Sequence, residues 1–270
     1  MHEINLYQTH LTEGQWSYIN KEFLENDRRK RKYSLQSVFE AILYLLVSGC
    51  QWRRLPHDYP AWKSVYYYYH EWRQEGRVEH FLEKLVRKIR RKRGQASSPS
   101  VGAMDAQSVK WGSRQGDNGY DGNKKVKGVK RNIITDRNGF ILARKVCNAG
   151  IHDSKMAHEL CGLADDVWED LRKVLSDRGY RGDVDKDIEK DFGIELEVSN
   201  TPNGVKGFLP KPLRWVVERT FAWLDSCRRL SRNYEILNES AEEMIDFAAI
   251  KILINKNLDN FLINSVKWGC

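Results

Sequence analysis

Apolar positions recur at helical spacing through the first ninety residues. Thr12-Glu13-Gly14-Gln15 has the form of a capping box, and Trp16, Ile19 and Phe23 behind it share one helical face. A polar cluster from Asp27 to Lys32 follows. Ser34 then caps a second helix with an apolar stripe of Val38, Phe39, Ile42, Leu45 and Leu46, closed by Gly49. A third helix is predicted after Pro60, carrying Trp62, Val65, Tyr69 and Trp72. A fourth starts from Val78, with Phe81, Leu82, Leu85, Val86 and Ile89 on one face and basic residues on the other. The tryptophans and the run Tyr66 to Tyr69 read as half-buried core with wet tips. Helices two and three, joined through Gly49 to Pro60, are a candidate helix-turn-helix whose third helix would enter a major groove, although the connection is long for that motif.

After residue 100 the period changes. Val101 to Val109, Val126 to Thr135 and Phe140 to Cys147 read as strands, the last two joined by Asp136-Arg137-Asn138-Gly139, whose Asn-Gly is a strong hairpin signal. A helix from Ser154 to Asp165, a strand at Lys173 to Ser176, a helix near Asp183 to Phe192, a strand at Glu195 to Ser199 and a long helix from Lys211 to Leu230 complete the alternation. Ser240 caps a last helix with Met244, Phe247, Ile250, Leu253 and Ile254 at helical spacing, which core packing explains. Three strands in meander followed by alternating strands and helices predict a mixed sheet with helices on its faces, the order of an RNase H-like fold. The expected class is therefore α/β, with an RNase H-like mixed-sheet core preceded by an all-α domain.

Charge sharpens that division. Residues 1–98 hold 18 Lys and Arg against 11 Asp and Glu, which is nearly all of the net charge of +8. The basic run Arg87 to Arg93 gives way to the loop-forming stretch Gly94 to Ser100, so a helical DNA-binding domain is expected over 1–98 and a catalytic domain, with its C-terminal helix, over 99–270. A polyanionic partner is the leading expectation from this footprint. The five cysteines (Cys50, Cys147, Cys161, Cys227 and Cys270) are odd in number and widely spaced, which argues against a disulfide framework or zinc ribbon and for a reducing compartment. The longest apolar run, Ala41 to Val47, is far short of the roughly 20 residues of a membrane helix, and no signal pattern opens the chain. A soluble cytoplasmic, nucleoid-associated protein is expected.

Three carboxylates stand apart by context. Asp105 interrupts an apolar strand, where an unpaired charge would cost several kcal/mol. Asp177 follows a strand and precedes the glycine-containing turn Arg178 to Gly182, and Glu218 lies mid-helix among residues that look buried. Three acids at the ends of neighbouring elements make a hard-oxygen site for Mg²⁺, or Mn²⁺ as its substitute, suited to two-metal phosphoryl transfer. Salt bridging is the plainer alternative, since Arg214 lies one helical turn from Glu218.

The ordered motifs Asp105 to Lys110, Tyr120 to Arg131, Ser176 to Gly182, and Arg214 to Trp223 with Arg228-Arg229-Leu230 together resemble the transposases of bacterial insertion sequences, most closely the insertion-sequence-five family of the DDE superfamily. The resemblance covers nearly the whole chain, because Leu11 to Trp72, including Gly49 to Pro56, is similar to that family's DNA-binding region. It implies an RNase H-like core, Asp105, Asp177 and Glu218 as the metal-binding acids, and terminal inverted repeats and target DNA as double-stranded substrates. It also implies cutting at element ends and joining of the 3′-hydroxyl to target DNA. Related transposases carry a Tyr-x2-Arg-x3-Glu-x6-Lys signature; Arg214 and Glu218 fit it, whereas Lys211 and Asp225 replace its Tyr and Lys. The DNA-holding role of that Lys is left to Arg228 or Arg229.

Further DNA-contact candidates are Arg28, Arg29, Lys30, Arg31, Lys32, Arg53, Arg54 and Lys63 in the front third. Behind them lies a glycine-rich basic loop between Gly112 and Gly128, with Lys124, Lys125, Lys127, Lys130 and Arg131 in or just after it; a floppy hairpin connection is the competing reading. No Walker pattern is present, so no nucleotide cofactor is expected. His152-Asp153, placed as in related transposases, is a candidate to stand near the metals, with turn capping as the alternative. Two element ends and one acid triad per chain predict a homodimer on DNA, with the helix Val78 to Arg93 and the segment Phe261 to Cys270, including Trp268, as candidate contacts. A related nuclease that only cleaves and a non-catalytic DNA-binding regulator are the rival functions.

Overall fold

Thr12 and Gln15 cap each other: the Thr12 N–H donates to Gln15 Oε1 at 3.0 Å and the Gln15 N–H to Thr12 Oγ1 at 3.2 Å, opening helix α1, Glu13–Leu24. Helix α2, Leu35–Ser48, starts where Ser34 Oγ accepts the Ser37 N–H and ends at Gly49, whose φ of +70° is the left-handed region that glycine supplies at a helix end. A 3-10 turn over Trp52–Arg54 leads to α3, Trp62–Gln74, and α4 follows over Arg77–Lys92. The computed structural model describes residues 7–24, 30–112, 116–180, 184–198 and 214–257; the side chains of Arg178, Arg214 and Asn257 lie outside that description. So do Arg28, Arg29, Lys211 and the segment Phe261 to Cys270.

The described residues form two compact units. One comprises residues up to Ile89 together with 226–230 and those from 243 onward; the other comprises 90–225 and 231–242. In the first, Phe23 meets Phe39, Trp72 and Phe81 at ring-centroid distances of 5.8, 5.0 and 5.5 Å, an edge-and-tilt cluster of the kind aromatic quadrupoles favour. Phe247, from the last helix, closes this core 5.5 Å from Phe39 and 6.1 Å from Tyr69. Glu40 is buried there and occupied, its Oε1 accepting from the Leu11 N–H and from Gln36 Nε2.

The second unit is built on a six-stranded mixed sheet. Strand β1, Val101–Lys110, pairs antiparallel with β3, Val126–Asp136, without a break from Gly102 opposite Asp136 to Lys110 opposite Gly128. On its far side β3 pairs antiparallel with β2, Gly119–Asp121, and with β4, Ile141–Asn148. On the other side of β1 lies β5, Lys173–Ser176, in parallel, and beyond it β6, Glu195–Val198, also in parallel. Helices α5, Asp153–Asp165, and α6, Val184–Phe192, flank the strands, and α7, Arg214–Asp225, packs on β1 and β3. An antiparallel meander continued by parallel strands is the RNase H-like α/β arrangement expected above.

The hairpin between β3 and β4 differs from a tight two-residue Asn-Gly turn. Only Gly139 has positive φ, at +83°, and the pairing slips by one residue beyond Ile134, so the turn carries a bulge. Asp136 fastens it: Oδ1 accepts the Asn138 and Phe140 N–H groups, while the buried Arg90 guanidinium pairs with the same carboxylate. Three boundaries also differ from the sequence reading. The helix expected over Lys211 to Leu230 stops at Asp225, where Asp and Ser offer the backbone competing hydrogen bonds, and Arg228–Leu230 is a separate 3-10 turn. The last helix, α8, Asn238–Asn257, starts two residues before Ser240. Strand β2 forms inside the stretch read as a glycine-rich loop.

Candidate active site

The alternation of β1 sorts its side chains. Ala103, Asp105 and Gln107 face one side of the sheet and Met104, Ala106 and Ser108 the other. On the first side α7 covers the strand, with Gln107 Nε2 donating to Asp225 Oδ2 at 2.8 Å. On the second, Lys130, opposite Ser108, reaches α5.

Asp105 and Asp177 are neighbours by register. β1 and β5 are matched through Ala103 and Leu175, and each aspartate lies two residues farther along its chain. Both are half-buried. Asp105 Oδ1 accepts the Ala106 N–H at 2.7 Å, and Asp177 Oδ1 accepts the Gly179 N–H at 2.8 Å, which turns the chain sharply after β5. A Cβ placed on Gly179 would lie 3.0 Å from Asp177 Oδ1 and 3.7 Å from Asp153 Oδ2, so the first residue of α5 brings a further carboxylate to this turn. Beneath them Tyr180 is 1% exposed, and its hydroxyl has no hydrogen-bond partner. Burial first, then the charges of Asp105, Asp153 and Asp177, hold that phenol well above its ordinary range.

Glu218 lies mid-helix in α7 among buried residues, as expected. Val216, Val217, Thr220 and Phe221 around it are buried, but Glu218 itself is exposed. It sits about two helical turns before Asp225, on the same side of α7 that meets Gln107. Among the described residues no three His, Cys, Asp or Glu side chains are gathered closely enough to hold a metal ion, so the triad is not a ready-made nest.

Two basic candidates from the same stretch are corrected by burial. Lys130 Nζ lies 2.8 Å from Asp153 Oδ1 and 3.8 Å from Asp121 Oδ2 and donates to the Ile151 carbonyl; its side chain is 8% exposed and faces inward rather than toward DNA. Arg131, 1% exposed opposite Gln107, is equally internal, and burial pulls its guanidinium down to about 10 against the opposing charge of Asp225. Strand β3 has both faces covered, which turns its polar residues inward. Arg229 is a third correction: it is buried and donates to the Cys50 carbonyl at 3.0 Å. Arg228 is exposed.

Asp121 is the residue the sequence reading missed. It is buried, takes the Ser108 hydroxyl at 2.5 Å and the Asn123 and Lys124 N–H groups at 3.0 Å each, and stands beside Lys130. Burial alone would raise its pKa, but the Ser108 and backbone donors and Lys130 outweigh that and lower it. The signal was present as Asp121-Gly122-Asn123, a turn-forming triplet. Lys124, Lys125 and Lys127 are exposed on the hairpin so anchored, and Lys124 Nζ donates to the Ala106 carbonyl at 2.7 Å. His152 caps α5: its Nδ1 accepts the Ser154 N–H at 3.3 Å. In the first unit Lys30, Lys32, Arg53, Arg54 and Lys63 are exposed and Arg31 is half-buried, with the Arg53 guanidinium 5.2 Å over the Trp62 ring.

Comparison with known proteins places this geometry. The family described as "Transposase DDE domain" matches residues 96–250, and the one described as "Putative transposase of IS4/5 family" matches residues 11–82. The protein named "Putative transposase for insertion sequence element IS402" from Burkholderia cepacia is 35% identical over 115 residues, which cover 40% of this chain and 54% of that protein. The chain thus spans about half the length of the curated relative it matches. DDE transposase domains generally use divalent metal ions, and transposases act on DNA. Among the described residues no helix is long and apolar enough to cross a membrane. With its mixed sheet, its paired aspartates and more than half of its length matched, this chain belongs to the DDE-domain transposases of insertion sequences.

Proposed function

We propose that this chain binds the terminal inverted repeats of an insertion sequence, cuts the DNA at the element ends and joins the freed 3′-hydroxyl to target DNA. The observation that carries the reading is the side-by-side placement of Asp105 and Asp177 at the point where β1 outruns its parallel partner β5. The donor set fits a divalent cation: two half-buried carboxylates, Glu218 on the helix covering the same face, and only hard oxygen atoms. The buried Tyr180 hydroxyl beside them, with no partner, is a further polar atom left for a ligand. Asp105, Asp177 and Glu218 would hold Mg²⁺ or Mn²⁺, which supplies charge neutralisation and activation of an attacking oxygen.

The residues themselves do the positioning. Asp105 fixes one oxygen donor on the sheet, Asp177 a second in the turn that follows β5, and Glu218 would bring a third from α7. In cleavage a water oxygen bonds to phosphorus as the bond to the 3′-oxygen breaks, leaving a 3′-hydroxyl and a 5′-phosphate. In joining that hydroxyl oxygen attacks a target phosphorus and the target's own 3′-oxygen leaves. The exposed bases Lys30, Lys32, Arg53, Arg54 and Lys63 suit a phosphate backbone. A homodimer on DNA supplies one acid site per element end, and a cytoplasmic, nucleoid-associated location follows from the substrate.

The test is incubation of the full chain with labelled element-end DNA, a target duplex and Mg²⁺. Cut ends together with joined products support the transposase. Cut ends without joining leave a nuclease, and binding without cutting leaves a regulator.

A further inference from the structure

We infer that Lys124 is the phosphate-holding residue of the acid site. The inference rests on the proposed phosphoryl-transfer reading. Its ammonium is 2.7 Å from the carbonyl of Ala106, the residue that follows Asp105, so a positive charge is held against β1 one residue beyond the first aspartate although Lys124 and Ala106 are 18 positions apart in the chain. The side chain is exposed, so the ammonium keeps donors for an incoming oxygen.

The position is built. Asp121 accepts the backbone N–H of Lys124 itself, and is in turn fixed to β1 by Ser108 and to β3 by Lys130. Lys130 also holds Asp153, whose carboxylate flanks the turn after Asp177. The next residue, Lys125, has φ +53°, the only non-glycine in the left-handed region among the described residues; the turn is held there by the groups around it. One chain of contacts thus runs from Lys124 through Asp121 and Lys130 to Asp153, at the turn after Asp177. A carboxylate pair repels a phosphodiester, and a fixed ammonium at its rim offsets that repulsion where charge develops on the phosphoryl oxygens. Lys125 and Lys127 are exposed on the same hairpin, and among the described residues it is the Lys124 ammonium that bonds to the Ala106 carbonyl of β1.

The experiment uses the full chain with Mn²⁺ and a supercoiled plasmid carrying the gene for this chain and its flanking DNA, and reads the nicking rate at saturating protein, the dissociation constant by gel shift, and Mn²⁺ binding by electron paramagnetic resonance. Lys124→Gln should slow nicking by about 100-fold, as loss of one charge-stabilising donor does, with DNA affinity and Mn²⁺ binding near wild type. Lys124→Arg should recover most of the rate, and Lys155→Gln, an exposed lysine of α5, should leave it unchanged. Wild-type nicking by Lys124→Gln, or an equal loss in Lys155→Gln, overturns the assignment. So does a loss of Mn²⁺ binding in Lys124→Gln, which marks a collapsed site. Asp177→Asn separates the two levels: if it nicks normally, or if the wild-type chain fails to nick, the acid-site reading fails with the inference. If Asp177→Asn is dead and Lys124→Gln is active, only the role of Lys124 falls.

Discussion

Asp105 and Asp177 each lie two residues beyond a matched pair, Ala103 and Leu175, on adjacent parallel strands. The sheet therefore sets the place of Asp105, and the turn that follows β5, fastened by the Gly179 N–H, sets that of Asp177. Removing either carboxylate should abolish cleavage while leaving DNA binding within a few-fold of wild type, because the loss falls on the transition state. Gel shift beside a cleavage assay on Asp105→Ala and Asp177→Ala checks this, and the double variant should be no worse than either single one.

Lys130 should be a stability residue. Its ammonium is the nearby counter-charge to Asp153 and Asp121 in a largely buried setting. Lys130→Met should cost about 3–5 kcal/mol in urea denaturation, the usual range when one partner of a buried pair is removed. A variant as stable as wild type would return this lysine to the list of DNA contacts.

Tyr180→Phe should be neutral or slightly stabilising, by up to about 1 kcal/mol, since the hydroxyl it removes is buried without a partner. Tyr180→Ala should cost about 3–5 kcal/mol by leaving a cavity. Thermal melts of both variants decide.

Acid should destabilise the second unit in part through Asp121. Its folded pKa lies below its ordinary 3.8, so the stabilisation is present above that value and is lost as pH falls through the folded one. Denaturation midpoints between pH 7 and pH 3 should fall more steeply for wild type than for Asp121→Asn, whose deficit at neutral pH narrows below about pH 4.

Gly139→Ala should destabilise the hairpin by about 1–3 kcal/mol, because alanine is strained at φ +83° and its Cβ would fall 2.7 Å from Thr220 Oγ1. Chemical denaturation measures it.

Local signals were legible where a residue acts on its own neighbours. Thr12 with Gln15, Ser34 and Gly49 declared their caps, and Asn138-Gly139 declared a hairpin, because capping and turn chemistry are complete within a few residues. Asp105 and Asp177 were legible because a charge inside or just after an apolar strand is costly without a purpose. Lys130, Arg131 and Arg229 were misread as surface bases, since a basic residue's burial depends on partners distant in sequence: Asp153 and Asp121, Gln107 and Asp225, and the Cys50 carbonyl. The apolar residues around Glu218 marked the buried positions of α7, but they could not show that the carboxylate itself is exposed. The periodicity of α8 showed that it buries a face, but not that Phe247 fills the core of the front helices rather than that of the sheet.

The place of Phe247 has a consequence for how the protein is made. The helices that carry Phe39 and Tyr69 are synthesised first, yet the ring that completes their packing arrives with the last helix, after every acid of the sheet has been translated. A chain that stops early leaves those aromatics uncovered and exposed to proteolysis. The front helices therefore complete their packing only on molecules that also carry the whole sheet, so a ribosome that falls off midway does not release a lasting front-helix fragment.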